Sequence, residues 1–198
     1  MEIEEFFPVR ISYSFNPNHS QIKDHLIQHC LFISTNYKSG GTNWISDKTY
    51  NTSDGVYDCY NDTEFLNLNK WVRDEVKTYA NLLDIDENLD VVSAWFNIYN
   101  KHDYQEFHKH PGYKLSAIYV LECCSHSDSI IYFKTPADEM YNLTYKNVNK
   151  KNSQIISHQS IPGKLIIFPS NIAHCVSKNN SVNKRISLSY NFTSKVGC

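Results

Sequence analysis

The sequence has no apolar run approaching the ~20 residues that a membrane-spanning helix requires. Its opening, Met1-Glu2-Ile3-Glu4-Glu5, is acidic where a secretory signal is basic. The expectation is a soluble, cytoplasmic protein in which sites such as Asn51-Thr52-Ser53 carry no glycan. There is no basic excess either. The formal net charge is -2, which gives no field to attract a polyanion. The lysines at 146, 150 and 151 lie in a polar loop without interleaved aromatics, so nucleic acid is not favoured as a partner. No CxxC pair occurs among the six cysteines, which read as reduced thiols rather than a disulfide framework or a zinc site. Neither an internal repeat nor a break in composition divides the chain, so residues 1–198 are expected to form a single domain.

Aromatic residues are plentiful: 14 Tyr, 10 Phe and 3 Trp, alongside 41% hydrophobic residues, suit strands that pack bulky side chains. Helical spacing appears twice. Ile22, Leu26, Ile27 and Cys30 predict a helix over Gln21 to Leu31, capped by Asn18 or Ser20. A second helix is predicted from Asp62 or Thr63 to about Leu83, with Phe65, Leu66, Trp71, Val72, Val76, Tyr79 and Ala80 on its apolar stripe. Between them, Ser34 to Asp62 is a long segment of turn formers around Trp44, Tyr50 and Tyr57, of the kind that covers a functional site. An edge strand is expected at Phe6 to Ile11. Strands then dominate: Val91–Tyr99, Lys114–Cys123, Ser129–Phe133, Ile155–His158, Lys164–Phe168, His174–Ser177 and Arg185–Phe192, separated by Pro, Gly and Asn turns. That order fits a sandwich or a double-sheet roll.

The stretch Asp90 to Leu121 carries two aromatic-rich segments around a polar turn with His108 and His110. If that turn is extended, residues i and i+2 share a face and can chelate one ion. Imidazole suits Fe, Zn, Cu and Ni alike, so the spacing does not name the metal. His19, His25, His29, His102, His126 and His158 need no such role. A third imidazole, His174, follows a strand and the turn Pro169-Ser170-Asn171. Beyond it, alternation puts Arg185, Ser187 and Ser189 on one face of a strand and Ile186 and Leu188 on the other. An inward Arg needs an anion, and its planar fork fits a carboxylate.

These blocks are Trp95-Phe96-Asn97-Ile98-Tyr99, His108-Lys109-His110-Pro111, Ser116-Ala117-Ile118-Tyr119, Gly163-Lys164-Leu165 with Phe168-Pro169-Ser170, His174, and Lys184-Arg185-Ile186-Ser187-Leu188-Ser189-Tyr190-Asn191-Phe192. Together they resemble the iron(II)- and 2-oxoglutarate-dependent dioxygenases, nearest a branch of small phage, marine-bacterial and bacterial proteins related to prolyl hydroxylases. The resemblance implies an all-β core, a double-stranded β-helix or jelly roll, supported by two N-terminal helices. It implies Fe(II) held by His108 and His174, 2-oxoglutarate bound by Arg185 with Ser187 and Tyr99, and Asn97 and Tyr119 lining the same pocket. The implied reaction is oxidative decarboxylation of 2-oxoglutarate to succinate with O2, coupled to hydroxylation of a C–H bond in a small molecule or peptide, peptidyl-proline by the branch resemblance.

One position departs from the family's H-x-D/E motif, since His110 stands where the acid is expected. Three arrangements follow: His110 completes a neutral triad, the metal keeps an open position, or an acid such as Glu106 or Asp103 substitutes. Two other classes remain at this level. One is a binding or structural β-sandwich with no iron. The other is a cupin-like three-histidine dioxygenase that uses no cosubstrate, which leaves Arg185 without a partner.

Overall fold

A computed structural model of the chain describes residues 2, 8–41, 44–46, 48–124, 129–137 and 144–194. The elements run β1 (Ser12–Phe15), α1 (His19–Asn36), β2 (Tyr50–Asn51), a 3-10 turn (Thr63–Phe65), α2 (Leu66–Leu82), β3 (Leu89–Tyr99), β4 (Gln105–His108), β5 (Leu115–Glu122), β6 (Ile130–Lys134), β7 (Ile155–Gln159), β8 (Lys164–Pro169), β9 (His174–Val176) and β10 (Arg185–Ser194). Six strands form one sheet in the order β1-β8-β5-β10-β3-β2, and four form a second in the order β4-β9-β6-β7. Every pairing is antiparallel. This is the double-stranded β-helix with two N-terminal helices that the resemblance implied.

Strand alternation divides the larger sheet into two faces. Phe96, Ile98, Leu115, Ala117, Tyr119, Leu121, Leu165, Ile167, Leu188 and Tyr190 pack under the helices, against Leu26, Cys30 and Ile33 of α1 and Leu68, Val72, Val76 and Tyr79 of α2. The opposite face meets the smaller sheet through Tyr99, Ile118, Ile131, Ile166, Phe168 and Val176, with Phe133 behind them. Two helices thus cover one side of the sheet, and burying each of those Leu, Val and Phe side chains contributes about 1.5–3 kcal/mol. The inner face is left to build the site.

Two expectations are corrected. The part of the expected Phe6 to Ile11 edge strand that is described, 8–11, is not a strand. The edge is instead Ser12–Phe15, in register with Ile167 to Lys164 of β8. Pro8, at the head of this stretch, offers no donor to a ladder. Asn18 is the N-cap residue of α1, but its side chain makes no capping bond; Asn16 Oδ1 accepts from its backbone N–H at 2.9 Å. For the second helix, Asp62 caps the 3-10 turn by accepting from Glu64 N–H. All five cysteines in the described residues are free thiols.

The long segment between the helices is tied down at its end by a buried amide. Asn69 of α2 donates to the carbonyls of Cys59 and Tyr60 at 3.0 and 2.9 Å and accepts from the Tyr190 hydroxyl at 3.0 Å. Asn69→Leu removes all three bonds, and because Leu is the larger side chain and the better helix former, its effect combines the lost polar contacts with the cost of fitting a bigger group and a small gain in helix propensity. Leaving such buried groups unpaired costs about 1–3 kcal/mol each, and we expect a loss of about 2–4 kcal/mol after partial relaxation. Urea denaturation checks this; a change below about 0.5 kcal/mol would show that the amide is dispensable.

Candidate metal centre

His108 ends β4 and His174 begins β9, and the two are directly paired across the ladder. A β-bulge makes this possible. Between Gln105 and His108 the strand carries one more residue than its partner segment from Val176 to His174, which turns the end of β4 toward the inner face. His110 is fixed by its own backbone, whose N–H donates to the Ser170 carbonyl at 2.9 Å. Ser170 is fully buried in the Pro169-Ser170-Asn171 turn, and its N–H donates to Lys114 O. One turn therefore positions two imidazoles: it anchors His110 and launches His174.

The ring centroids of His108 and His174 lie 4.2 Å apart, with 5.0 Å from His108 to His110 and 5.2 Å from His110 to His174. One potential ligand atom from each residue lies within 4.8 Å of the others. Nitrogens each ~2.1 Å from a shared ion are at most about 4.2 Å apart, so small ring adjustments close the triad. The tautomers suit a metal. His108 Nδ1–H donates to Glu106 O at 2.9 Å, and His174 Nδ1–H donates to Ile172 O at 3.0 Å, leaving each Nε2 lone pair for coordination. Burial lowers the pKa of all three rings; together with His108 it brings His110 to about 4, and His108 and His110 add to the lowering at His174. Three neutral imidazoles converge, backed by Phe168 at 4.7 Å and Phe133 at 6.0 Å from His174.

Neither acid considered as a substitute ligand belongs to this group. Glu106 accepts from Ile45 N–H at 2.7 Å, Ser46 N–H at 3.4 Å and Ser46 Oγ at 2.6 Å. Burial raises its pKa, but those bonds from Ser46 and Ile45 outweigh it and keep the carboxyl ionised. Asp103 accepts from the Asn100 N–H and side-chain amide in a tight turn. The Glu106 bonds hold the long aromatic segment over the triad, where Trp44 meets His108 edge-on at 5.0 Å.

A cavity of about 670 Å³ opens from the triad between the sheets. Asn97, Tyr99 and Ser187 line it, with Trp44, Trp95, Ser189 and Asn191. Tyr119 does not. It projects from the opposite face of β5, under the helices, where its hydroxyl meets His19 Nδ1 at 2.8 Å and its ring meets Trp71. Its neighbour Ile118 takes the inward position, because successive residues alternate.

Arg185 lies beyond Tyr99, 2% exposed, with its guanidinium 4.2 Å from the Tyr99 ring centroid. Nη1 donates to Ser129 Oγ at 2.9 Å and Nη2 to Ser177 O at 2.8 Å. Its Nε–H has no partner, and no carboxylate forms an ion pair with it among the described residues. Burial lowers its pKa, opposed chiefly by Tyr99, whose own pKa burial raises.

Sequence reasoning passed over Trp95, Ser116 and Asn191 as site residues, although parity along β3 and β10 placed Trp95 and Asn191 on the same face as Asn97 and Ser187. It had no signal for the role of Glu106, which depends on a contact across 61 positions.

Jelly roll and clustered imidazoles define the class: a double-stranded β-helix protein with a three-histidine cluster that could hold a metal ion. The family model described as "Putative 2OG-Fe(II) oxygenase" matches residues 93–191, half of the sequence, and the chain belongs to this family. Among solved structures, the fold is similar to a prolyl-4-hydroxylase from Pseudomonas putida, at 13% identity over 94% of each chain with a TM-score of 0.62. It is similar to AviO1 from Streptomyces viridochromogenes Tue57, at 9% identity over 96% of this chain and 92% of that one, TM-score 0.62. HygX from Streptomyces hygroscopicus, solved with nickel, 2-oxoglutarate and hygromycin B, is similar at 8% identity over 95% and 84% of the chains, TM-score 0.63. At these identities the likeness is one of fold. No curated protein matches the sequence. No described helix is long and apolar enough to cross a membrane.

Two predictions follow from the geometry. The three rings stay neutral in the metal-free fold but titrate near 6.5 when unfolded, so between those values the unfolded chain binds more protons and stability falls as pH drops. Each ring contributes a slope of at most about 1.4 kcal/mol per pH unit. The melting temperature of metal-free protein should fall from pH 7 to pH 5; a flat profile contradicts the neutral triad. Separately, Glu106→Ala should release the Trp44 segment, speeding amide exchange at Ile45 and Ser46 at least about tenfold, the equivalent of one charge-assisted bond. Unchanged exchange rates would mean that another contact holds it.

Proposed function

We propose that the chain is an Fe(II)- and 2-oxoglutarate-dependent oxygenase, in which His108, His110 and His174 hold the metal and Arg185 binds the far carboxylate of the cosubstrate. The observation that carries this is a buried guanidinium with an unpartnered Nε–H on the strand that also supplies Ser187 and Ser189 to the triad's cavity. A buried charge is tolerated when an anion meets it, and a carboxylate matches its fork. That need also favours this reading over a three-histidine dioxygenase with no cosubstrate.

Bound there, Fe(II) with 2-oxoglutarate and O2 supplies oxidative decarboxylation to succinate coupled to hydroxylation of a C–H bond. The chain's own residues do the rest. His108, His110 and His174 would hold the ion, leaving its remaining positions to cosubstrate and O2. Ser187 and Tyr99 stand between the triad and Arg185, where their hydroxyls can bond a carboxylate. Asn97 lies one strand over, paired with Ser187. Trp44, held by the Glu106 tether, limits water at His108. Peptidyl-proline as the substrate rests on the resemblance alone.

Anaerobic titration with Fe(II) and then 2-oxoglutarate should produce a weak visible charge-transfer band at one equivalent, and admitting O2 should release succinate. Alanine at His108 or His174 should abolish both the band and stoichiometric metal. Arg185→Ala should leave metal binding intact and raise the 2-oxoglutarate requirement about tenfold or more, as expected for loss of a charged hydrogen-bonded pair. A requirement within twofold of wild type would remove Arg185 from this role.

A further inference from the structure

The inner face of the larger sheet changes character along its length. Near β8 it is apolar, with Ile118, Ile166 and Phe168 in the inter-sheet core. Past the triad, away from Arg185, it turns to hydroxyls and amides. Ser116 Oγ donates to Asn191 Oδ1 at 2.8 Å and meets Ser170 Oγ at 2.9 Å, while Asn191 Nδ2 donates to Ser93 Oγ at 3.2 Å. Next along the face, Asn97 Nδ2 donates to Ser189 Oγ at 3.4 Å. These groups satisfy one another in the free protein, and their hydroxyls and amide oxygens retain unused acceptor capacity. Apolar side chains would pack this position at lower cost, as they do a few residues away.

Aromatic faces flank this polar wall. The Trp95 ring lies 5.6 Å from that of His110, Trp44 lies on the other side at His108, and Tyr113 lines the same opening. Charge at the open end of the cavity is one-sided. Asp54 and Asp58 line its rim, and no Lys or Arg is among its described lining residues. Hydrogen bonds from Asn61, acting against burial, hold the Asp58 carboxyl below its usual pKa, so it stays negative at neutral pH.

We propose that the open half of this cavity binds a polyhydroxylated ring, a glycoside that is uncharged or carries amines. Edge-on hydroxyls would take the spare acceptors and donors of Ser116, Asn191 and Asn97. The C–H face of such a ring would stack on Trp95, and Asp54 and Asp58 would disfavour a phosphate or carboxylate held at this open end, away from the triad and Arg185. A proline-rich peptide would leave the serine and asparagine wall facing a pyrrolidine that cannot bond it. This assignment rests on the oxygenase reading only for which end of the cavity is left to substrate.

The test uses the full chain, alone and with Ni(II) and 2-oxoglutarate, and follows tryptophan fluorescence while adding maltotriose, kanamycin, glucose 6-phosphate or decaproline. Saturable quenching by maltotriose or kanamycin, at least tenfold weaker with the other two, is expected. Asn191→Leu and Trp95→Ala, each checked for a cooperative melt, should raise the sugar's half-saturating concentration at least tenfold, read for Trp95→Ala from the remaining tryptophans and from sugar-dependent melting. If neither sugar saturates, if decaproline or the sugar phosphate binds as tightly, or if a folded Trp95→Ala protein binds unchanged, the proposal is overturned. Ni(II)-dependent stabilisation by 2-oxoglutarate, read by melting in the same samples without sugar, reports separately on the oxygenase reading, so either can fail while the other stands.

Discussion

The pairing of His108 with His174 across β4 and β9 is the contact on which the rest of the site depends. Two imidazoles placed opposite each other on adjacent strands share a face by construction, and only the bulge in β4 decides that the face is the inner one. From there the Ser170 turn does two jobs through the backbone, holding His110 by its N–H and starting the strand that carries His174. Backbone positioning of this kind is rigid. It leaves the side chains only ring rotation, which Nδ1–H bonds to Glu106 O and Ile172 O then restrict for two of the three.

Beyond Tyr99 stands a buried cation. Arg185 sits between Tyr99 and two oxygen acceptors from the β6 and β9 ends, and none of these groups carries a full negative charge at neutral pH. Taking a guanidinium out of water is unfavourable by several kcal/mol before compensation. Partial dipoles and an aromatic face recover some of that, and an arriving carboxylate would recover more. A site that is under-compensated when empty binds its anion more tightly for that reason. The same feature costs stability in the free protein, as an active site commonly does.

What the sequence showed and what it hid divide along physical lines. Period-two alternation made β10 readable, including the shared face of Arg185, Ser187 and Ser189, because parity is local and survives any packing; Asn97 and Tyr99 of β3 came from the family resemblance, and the β3–β10 register pairs them with Ser187 and Arg185. Both helices were readable from their apolar stripes. Parity on β5 was not carried across: Tyr119 was placed by its motif, whereas the register with β8 puts Ile118 inward, opposite Ile166. The irregularity between Ile186 and Ser187 shifts the β5–β10 register, and no local pattern announces such a shift. Glu106 was legible as a nearby acid but not as a structural one, since a carboxylate's partner 61 residues away is invisible to spacing, whereas Asp103 is tied up locally by Asn100, three residues before it. The polar wall was hidden in the same way, assembled from Ser93, Ser116, Ser170 and Asn191 on four separate segments.

The histidine at position 110 has an electrostatic consequence. In a two-His, one-carboxylate centre the protein neutralises part of the metal's charge, whereas three imidazoles neutralise none of it. Here the nearest acid in sequence, Glu106, is committed to the loop that carries Trp44. A divalent ion in this triad would keep its whole charge in a pocket backed by Phe133 and Phe168, where low polarity strengthens every interaction it makes. Such an ion holds a dianionic ligand more firmly than a carboxylate-bearing centre does, but is itself held less firmly by the protein. Metal and anionic cosubstrate would then bind with positive coupling, each raising the affinity for the other by the same factor. Arg185 at the far carboxylate and the triad at the near one would become two halves of one anion site, assembled by a β-roll that fixes their separation through strand register alone.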